Sequence, residues 1–201
     1  MRARFVPVLA VACGLLVASC SPSEVPTPTP TAVETTASPT PTETPTPTPT
    51  LTPTPVDPQT VNIAAAKQTV LDYTAAINSV YANGYATWST TLPVFWGTPE
   101  VTDLGSAYFQ QAADDGRRSE GELGADSLTV LLYVEDPTGG GHEQVRLEYC
   151  SDNSGVQTFS ADGAVMPKGT PPRHIFEVLL QRQSDGRWTI NEDIAHSDRI
   201  C

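Results

Sequence analysis

Apolar residues first recur at helical spacing in Ile63, Ala66, Val70, Tyr73, Ile77, Val80 and Tyr81. Asp57-Pro58 just before them is a start signal, an N-cap side chain followed by a proline at the first helical position. Gly84 is a stop signal. Thr98-Pro99-Glu100 opens a second helix whose face is Val101, Leu104, Tyr108 and Ala112, closed by Gly116. Between the two helices, Trp88, Leu92, Val94, Phe95 and Trp96 are too apolar for an exposed loop. They are expected to pack against the core or to line the mouth of a cavity.

After Gly124 the period changes to two, the signature of half-buried strands. Leu128, Val130, Leu132 and Val134 face one way on the first strand; Val145, Leu147 and Tyr149 do so on the next, after the glycine-rich connection 138–141. Val156 to Ser160 and Ala164-Val165 form a short hairpin around Asp162-Gly163, and Ile175 to Gln181 and Trp188 to Ile194 are the last two strands. The loop Ser184-Asp185-Gly186 suits a three-residue hairpin turn with Gly186 left-handed. That register pairs Arg182 with Trp188, Leu180 with Ile190, Val178 with Glu192, Phe176 with Ile194 and His174 with His196. Register follows the buried face, so Glu192 is expected among Ile190 and Ile194. Two N-terminal helices packed on one face of a mostly antiparallel sheet make an α+β domain.

The N-terminus reads as an address. Arg2 and Arg4 precede an apolar run from Phe5 to Ala18. About fourteen residues at ~1.5 Å each fall short of a ~30 Å hydrocarbon core, which favours a signal peptide over a permanent span. Its end, Val17-Ala18-Ser19-Cys20, resembles the lipobox of bacterial lipoproteins. That resemblance implies cleavage after Ser19 and diacylglycerol on the Cys20 thiol. Residues 20–58 then form a stalk of repeated Thr-Pro steps, holding twelve of the nineteen prolines. Proline fixes φ and keeps the residue before it out of the helical region, so the stalk is read as extended polyproline II. Its reach is on the order of 110 Å at ~3.1 Å per residue, and its Thr/Pro density suits O-glycosylation. The organisation predicted is signal peptide 1–19, lipidated low-complexity stalk 20–58 and one folded domain 59–201, lipid-anchored on the extracellular face of the cell membrane.

Charge narrows the partners. The chain carries −12 overall. Residues 59–201 hold nine Lys/Arg against nineteen Asp/Glu, a net −10. Such a domain repels phosphate, which excludes nucleic acid and a polybasic contact with anionic lipid. The membrane is reached through Cys20 alone. With Cys13 removed and Cys20 acylated, Cys150 and Cys201 remain. Export places them in an oxidising compartment, where they are expected to pair.

The element order, the Asp185-Gly186-Arg187-Trp188 turn, Tyr149-Cys150-Ser151-Asp152 ending a strand and the terminal Cys201 together resemble actinobacterial lipoproteins of the SnoaL-like, nuclear-transport-factor-two-like cone fold. The resemblance implies a curved sheet wrapping a helix around a conical cavity. It leaves function open, because that superfamily hosts cyclases, isomerases and dehydratases as well as non-catalytic binding modules.

Candidate chemistry is sparse. Glu192, on the apolar strand face, would have a raised pKa and act as an acid or base. His174 and His196, read as cross-strand neighbours, are the other speculative catalytic groups. They would need a third ligand to hold a metal, so no metal and no cofactor is assigned. His142 reads as a loop residue, and Asp114, Asp115, Glu120 and Glu122 as solvated acids. No nucleophile elbow, zinc-protease helix, phosphate loop or Rossmann glycine pattern is present. Tyr73, Trp88, Trp96, Tyr108, Phe176 and Glu192 are the candidates for a ligand pocket. The function expected is non-catalytic: a stalked domain binding a small apolar molecule or a cell-envelope component. The alternatives are a SnoaL-like isomerase or hydrolase acting on a small apolar substrate, and a structural cell-envelope interaction protein.

Overall fold

The computed structural model describes residues 56–137 and 140–201. The signal peptide, Cys20 and the stalk up to residue 55 lie outside the described residues, as do Thr138 and Gly139. The described residues belong to the second of the chain's two units, which begins at Leu51.

Helix α1 (Pro58–Ala82) starts where the cap and the proline place it; the Asp57 carboxylate accepts from the Gln59 amide at 3.3 Å. It buries Ala66, Val70, Tyr73 and Val80 on one stripe. Gly84, at φ +59°, breaks it, and the Tyr85 amide returns to the Val80 carbonyl at 2.9 Å. The apolar run after it forms a single helical turn, α2 (Trp88–Thr91), and a 3₁₀ turn, Pro93–Phe95, that put Leu92 and Trp96 into the core. Helix α3 (Pro99–Asp114) is capped by the Thr98 hydroxyl, which accepts from the Val101 amide at 3.4 Å. Its buried residues are Phe109 and Ala112, whereas Leu104 and Tyr108 are exposed. Val101 and Ala112 pack on the core as expected, while Gly105, invisible to a hydrophobic pattern, and Phe109 take the inward places expected for Leu104 and Tyr108. A Cβ at Gly105 would lie 2.6 Å from the Trp96 ring.

Strands β2 (Gly124–Val134), β3 (Gln144–Asp152), β5 (Arg173–Arg182) and β6 (Trp188–His196) form one antiparallel sheet in the order β2-β3-β5-β6. The short strands β1 (Arg118–Glu120) and β4 (Gln157–Phe159) pair separately. The short hairpin expected around Asp162-Gly163 forms: Phe159 pairs with Val165, the Ser160 amide donates to the Ala164 carbonyl at 2.9 Å, and the Met166 amide donates to the Thr158 carbonyl at 2.9 Å. Helix α1 packs on β2, β3 and β6, and α3 on β6. Val145, Leu147, Tyr149, Val178, Leu180, Trp188 and Ile190 are buried on the helix-facing side. The fold is α+β, helices on an antiparallel sheet, as the pattern predicts. Among the described residues no helix is long and apolar enough to cross a membrane.

Two registers depart from simple alternation. In β2, irregularities between Asp126 and Thr129 and between Val130 and Leu132 set Val130 opposite buried Leu147 but Leu132 opposite Arg146. Leu132 therefore faces outward and is half exposed. In the last hairpin, Gly186 is left-handed at φ +87° and the pairs Arg182–Trp188 and Leu180–Ile190 form as predicted. A bulge then places Asn191 as an extra residue, and every later pair shifts by one. Glu192 faces Leu179, Asp193 faces Val178, Ala195 faces Phe176 and His196 faces Ile175. The expected pairs Val178–Glu192, Phe176–Ile194 and His174–His196 are thereby replaced.

Tertiary contacts hold the bulge. Trp96 bridges to Ile190 in parallel fashion, and the Gly97 amide donates to the Ile190 carbonyl at 2.9 Å. The Thr98 hydroxyl donates to the Asn191 carbonyl at 3.2 Å, and the Asn191 amide group donates to Gln181 Oε1 at 2.8 Å. Gly97 is needed for this approach, since a Cβ there would collide with Asn191 Oδ1 and Thr189 Oγ1. A bulge bends its strand and re-aims the residues that follow it.

Candidate functional site

Segment 96–98 covers the free edge of β6 only as far as Asn191. Beyond that point a recess opens between β6 and the helices. Its walls are Tyr73 of α1, Trp96, Val101, Leu104 and Gly105 beside or on α3, and Glu192, Asp193 and Ile194 of β6. The cavity volume is about 280 Å³.

Trp96 is the central wall. Its ring stacks on Phe109 at a centroid separation of 6.5 Å and lies 6.4 Å from Trp88. Its Nε1–H donates to the Tyr73 hydroxyl at 3.3 Å. Burial pushes the Tyr73 phenol up to about 12, against the Trp96 hydrogen bond, which lowers it. Burial also raises the Tyr149 phenol, with Asp193 adding to the effect.

Asp193 is the chemical centre of the recess. The bulge turns it to the helix-facing side, opposite buried Val178. Its surface is exposed through the mouth, and desolvation by the protein packed behind it raises its carboxyl from 3.8 to about 6. Among the described residues it has neither a hydrogen bond nor an ion pair.

The residues singled out from sequence fall in several places. Tyr73 and Trp96 line the recess, and Trp88 supports Trp96 from behind. Tyr108 is half exposed, its ring edge-on to Phe109 at 5.0 Å. Phe176 stacks on Tyr149 at 5.6 Å. Glu192 touches the rim, but its carboxylate turns to the outer face, where Arg146 Nη2 lies at 2.8 Å and Arg146 Nη1 reaches Glu177 at 2.7 Å. His174 is buried; its Nδ1 is 3.1 Å from the Pro171 carbonyl and its ring packs 5.1 Å from Phe176. His196 lies with Glu177 at 3.5 Å. His142 Nδ1 lies 3.1 Å from the Arg182 carbonyl. None of the three histidines lines the recess. Among the described residues no group of three His, Cys, Asp or Glu side chains is placed to hold a metal ion.

Asp193 was not among the sequence candidates. The signal that would have found it is the polar run Asn191-Glu192-Asp193 inside an otherwise apolar strand. In an alternating strand at least one of three consecutive polar residues faces the buried side, and a bulge changes which one.

The sign of the Asp193 effect follows from linkage. Its folded pKa lies above its ordinary value, so its favourable contribution is fully present below about pH 4 and is lost as the pH rises through about 6. Asp193→Asn is therefore expected to raise stability at pH 7.5 by about 1 kcal/mol, once solvent screening at the open mouth is allowed for. It should change little at pH 3.5. Thermal melts at the two pH values check this, and an equal shift at both would contradict it.

No family model matches the chain, and no curated protein matches it. Solved structures match weakly. The intermembrane-space region of the chloroplast protein ARC6 aligns at 10% identity and a TM-score of 0.44, over 70% of this chain and 98% of its own. A periplasmic fragment of TraM aligns at 9% and 0.43, over 67% and 98%. Aln2 from a Streptomyces species aligns at 19% and 0.41, over 70% and 93%.

Proposed function

We propose that this chain is an exported, lipid-anchored protein whose stalk presents a small-molecule-binding domain at the cell surface, with the β6 recess as its binding site. The observation that carries the binding role is the recess itself. It has apolar and aromatic walls with the unpaired Asp193 carboxyl at its mouth. Ligand sites commonly combine an apolar lining with a few oriented polar groups. An enzyme of the SnoaL-like kind envisaged from the sequence would bring Glu192 and a histidine together in the cavity. Here the Glu192 carboxylate is held by Arg146, and the histidines are engaged elsewhere. Binding without catalysis is the reading these positions favour.

The anchor rests on the lipobox-like Val17-Ala18-Ser19-Cys20, and the stalk on the Thr-Pro repeats. Two or more acyl chains hold a protein stably at a membrane. Cys20→Ser is therefore expected to move the protein from the membrane fraction into the medium; unchanged fractionation would overturn the anchor. The released Cys20→Ser chain then tests the site. Titration with 2-phenylethanol, a neutral apolar probe, should shift the Trp96 indole and Gly105 amide resonances. If no resonance around the recess moves up to the solubility limit of the probe, the binding role falls.

A further inference from the structure

Given the binding role proposed for the recess, we infer that its ligand is a small apolar molecule bearing a protonated amine, received by the unpartnered carboxylate of Asp193 between Trp96 and Tyr73. Three observations carry this.

The first is an unbalanced charge. Asp193 sits at the open mouth of a largely apolar recess, on the helix-facing side of β6, with no counter-charge of its own. A partly desolvated carboxylate without a partner gains from a donor that supplies one. The described residues have no cation to spare for it. All nine Lys and Arg of residues 59–201 are held by carboxylates or backbone carbonyls elsewhere. A cationic ligand would supply the partner that the described residues do not.

The second is the chemistry of the walls. Trp96 and Tyr73 present aromatic surface to the same recess, and such faces attract an ammonium group. Val101 and Leu104 offer apolar surface to the rest of the ligand. Groups that would oppose a cation are absent from the lining: it contains no lysine, arginine or histidine. The domain's net charge of −10 draws cations toward its surface.

The third is size. A recess of about 280 Å³, open on one side, has room for one aromatic ring with a short side chain. Phenethylamine is a probe of this size.

The pH behaviour follows from the groups around Asp193. From α1 it meets Tyr73 and from β3 Tyr149, both phenols kept neutral by burial. From β6 the Glu192 carboxylate is turned away to Arg146. The α3 part of the lining adds no titratable group. Asp193 alone then governs amine binding, which should weaken as the carboxyl protonates below about pH 6.

The test compares phenethylamine with 2-phenylethanol, its neutral isostere, on the released Cys20→Ser chain by NMR titration at pH 7.5 and pH 4.5. The expected result is at least tenfold tighter binding of the amine at pH 7.5, a preference that shrinks at pH 4.5 and disappears in Asp193→Asn. Asp162→Asn, which removes a surface carboxylate in the Ser160–Ala164 turn, should leave the preference intact. Equal binding of amine and alcohol would overturn the amine assignment while leaving the binding site in place. A preference that survives in Asp193→Asn, or is lost equally in Asp162→Asn, would overturn the role of Asp193. Failure of both probes to bind would overturn the binding site itself.

Discussion

Trp96→Ala is expected to cost about 3–5 kcal/mol and to lower the melting temperature by more than 10 °C. The ring is only 7% exposed. It fills the space between α3 and β6, stacks on Phe109, packs near Trp88 and donates to Tyr73. Gly105 is the complement of that ring, with no room left for a Cβ. Alanine would leave a void that the neighbouring helix cannot close, because the Gly97–Ile190 hydrogen bond and the Thr98–Asn191 hydrogen bond fix the backbone on either side. The same change removes the central wall of the recess, so 2-phenylethanol binding should be lost with it. A loss below about 1 kcal/mol on denaturant unfolding would mean that the ring is not packed as described.

The second large effect is at the C-terminus. Cys150 and Cys201 form a disulfide with a Cα–Cα separation of 5.9 Å across 51 positions of sequence. Closing a loop of that length stabilises by about 4 kcal/mol on the chain-entropy model. The bridge also secures the tail that folds back on β5, where the Ile175 amide donates to the Arg199 carbonyl at 2.9 Å and Arg173 Nε donates to the Cys201 carbonyl at 3.2 Å. Replacing both cysteines by serine should lower the melting temperature by about 10 °C and expose the tail to proteolysis first. Mass spectrometry of a non-reducing digest should show one peptide pair joined through Cys150 and Cys201. Two free thiols, or a double variant as stable as the parent, would contradict this.

How much of this was legible in the sequence depended on how local its cause was. The start of α1 was readable because Asp57, Pro58 and the apolar stripe act within a few residues of one another. The hairpin register was readable as far as Ile190 because Ser184-Asp185-Gly186 determines it from the turn outward. The disulfide was readable from the arithmetic of export. The bulge was not readable. It is set chiefly by Gly97 and Thr98, the latter 93 positions from Asn191 in the chain, with Gln181 holding Asn191 across the hairpin. Ile190 and Ile194 frame Glu192 with a clean alternation, and that alternation pointed to the wrong carboxylate. Strand β1, three residues long, carries too short a pattern to detect, whereas β4 lies within the strand read at Val156 to Ser160. Helix α3 was found with Val101 and Ala112 inward, but Leu104 and Tyr108 were misplaced because glycine gives no hydrophobic signal where Gly105 meets Trp96.

The site and its ligand class both depend on the bulge at Asn191 placing the Asp193 carboxyl inside the recess. Carboxyl-carbon NMR of the released chain, titrated from pH 3 to 9, tests this directly. Asp193 is predicted to titrate at about 6, raised by burial. An Asp193 carboxyl titrating at the ordinary value of about 3.9 would place it in open solvent and contradict the site, its ligand class and the role of the bulge together.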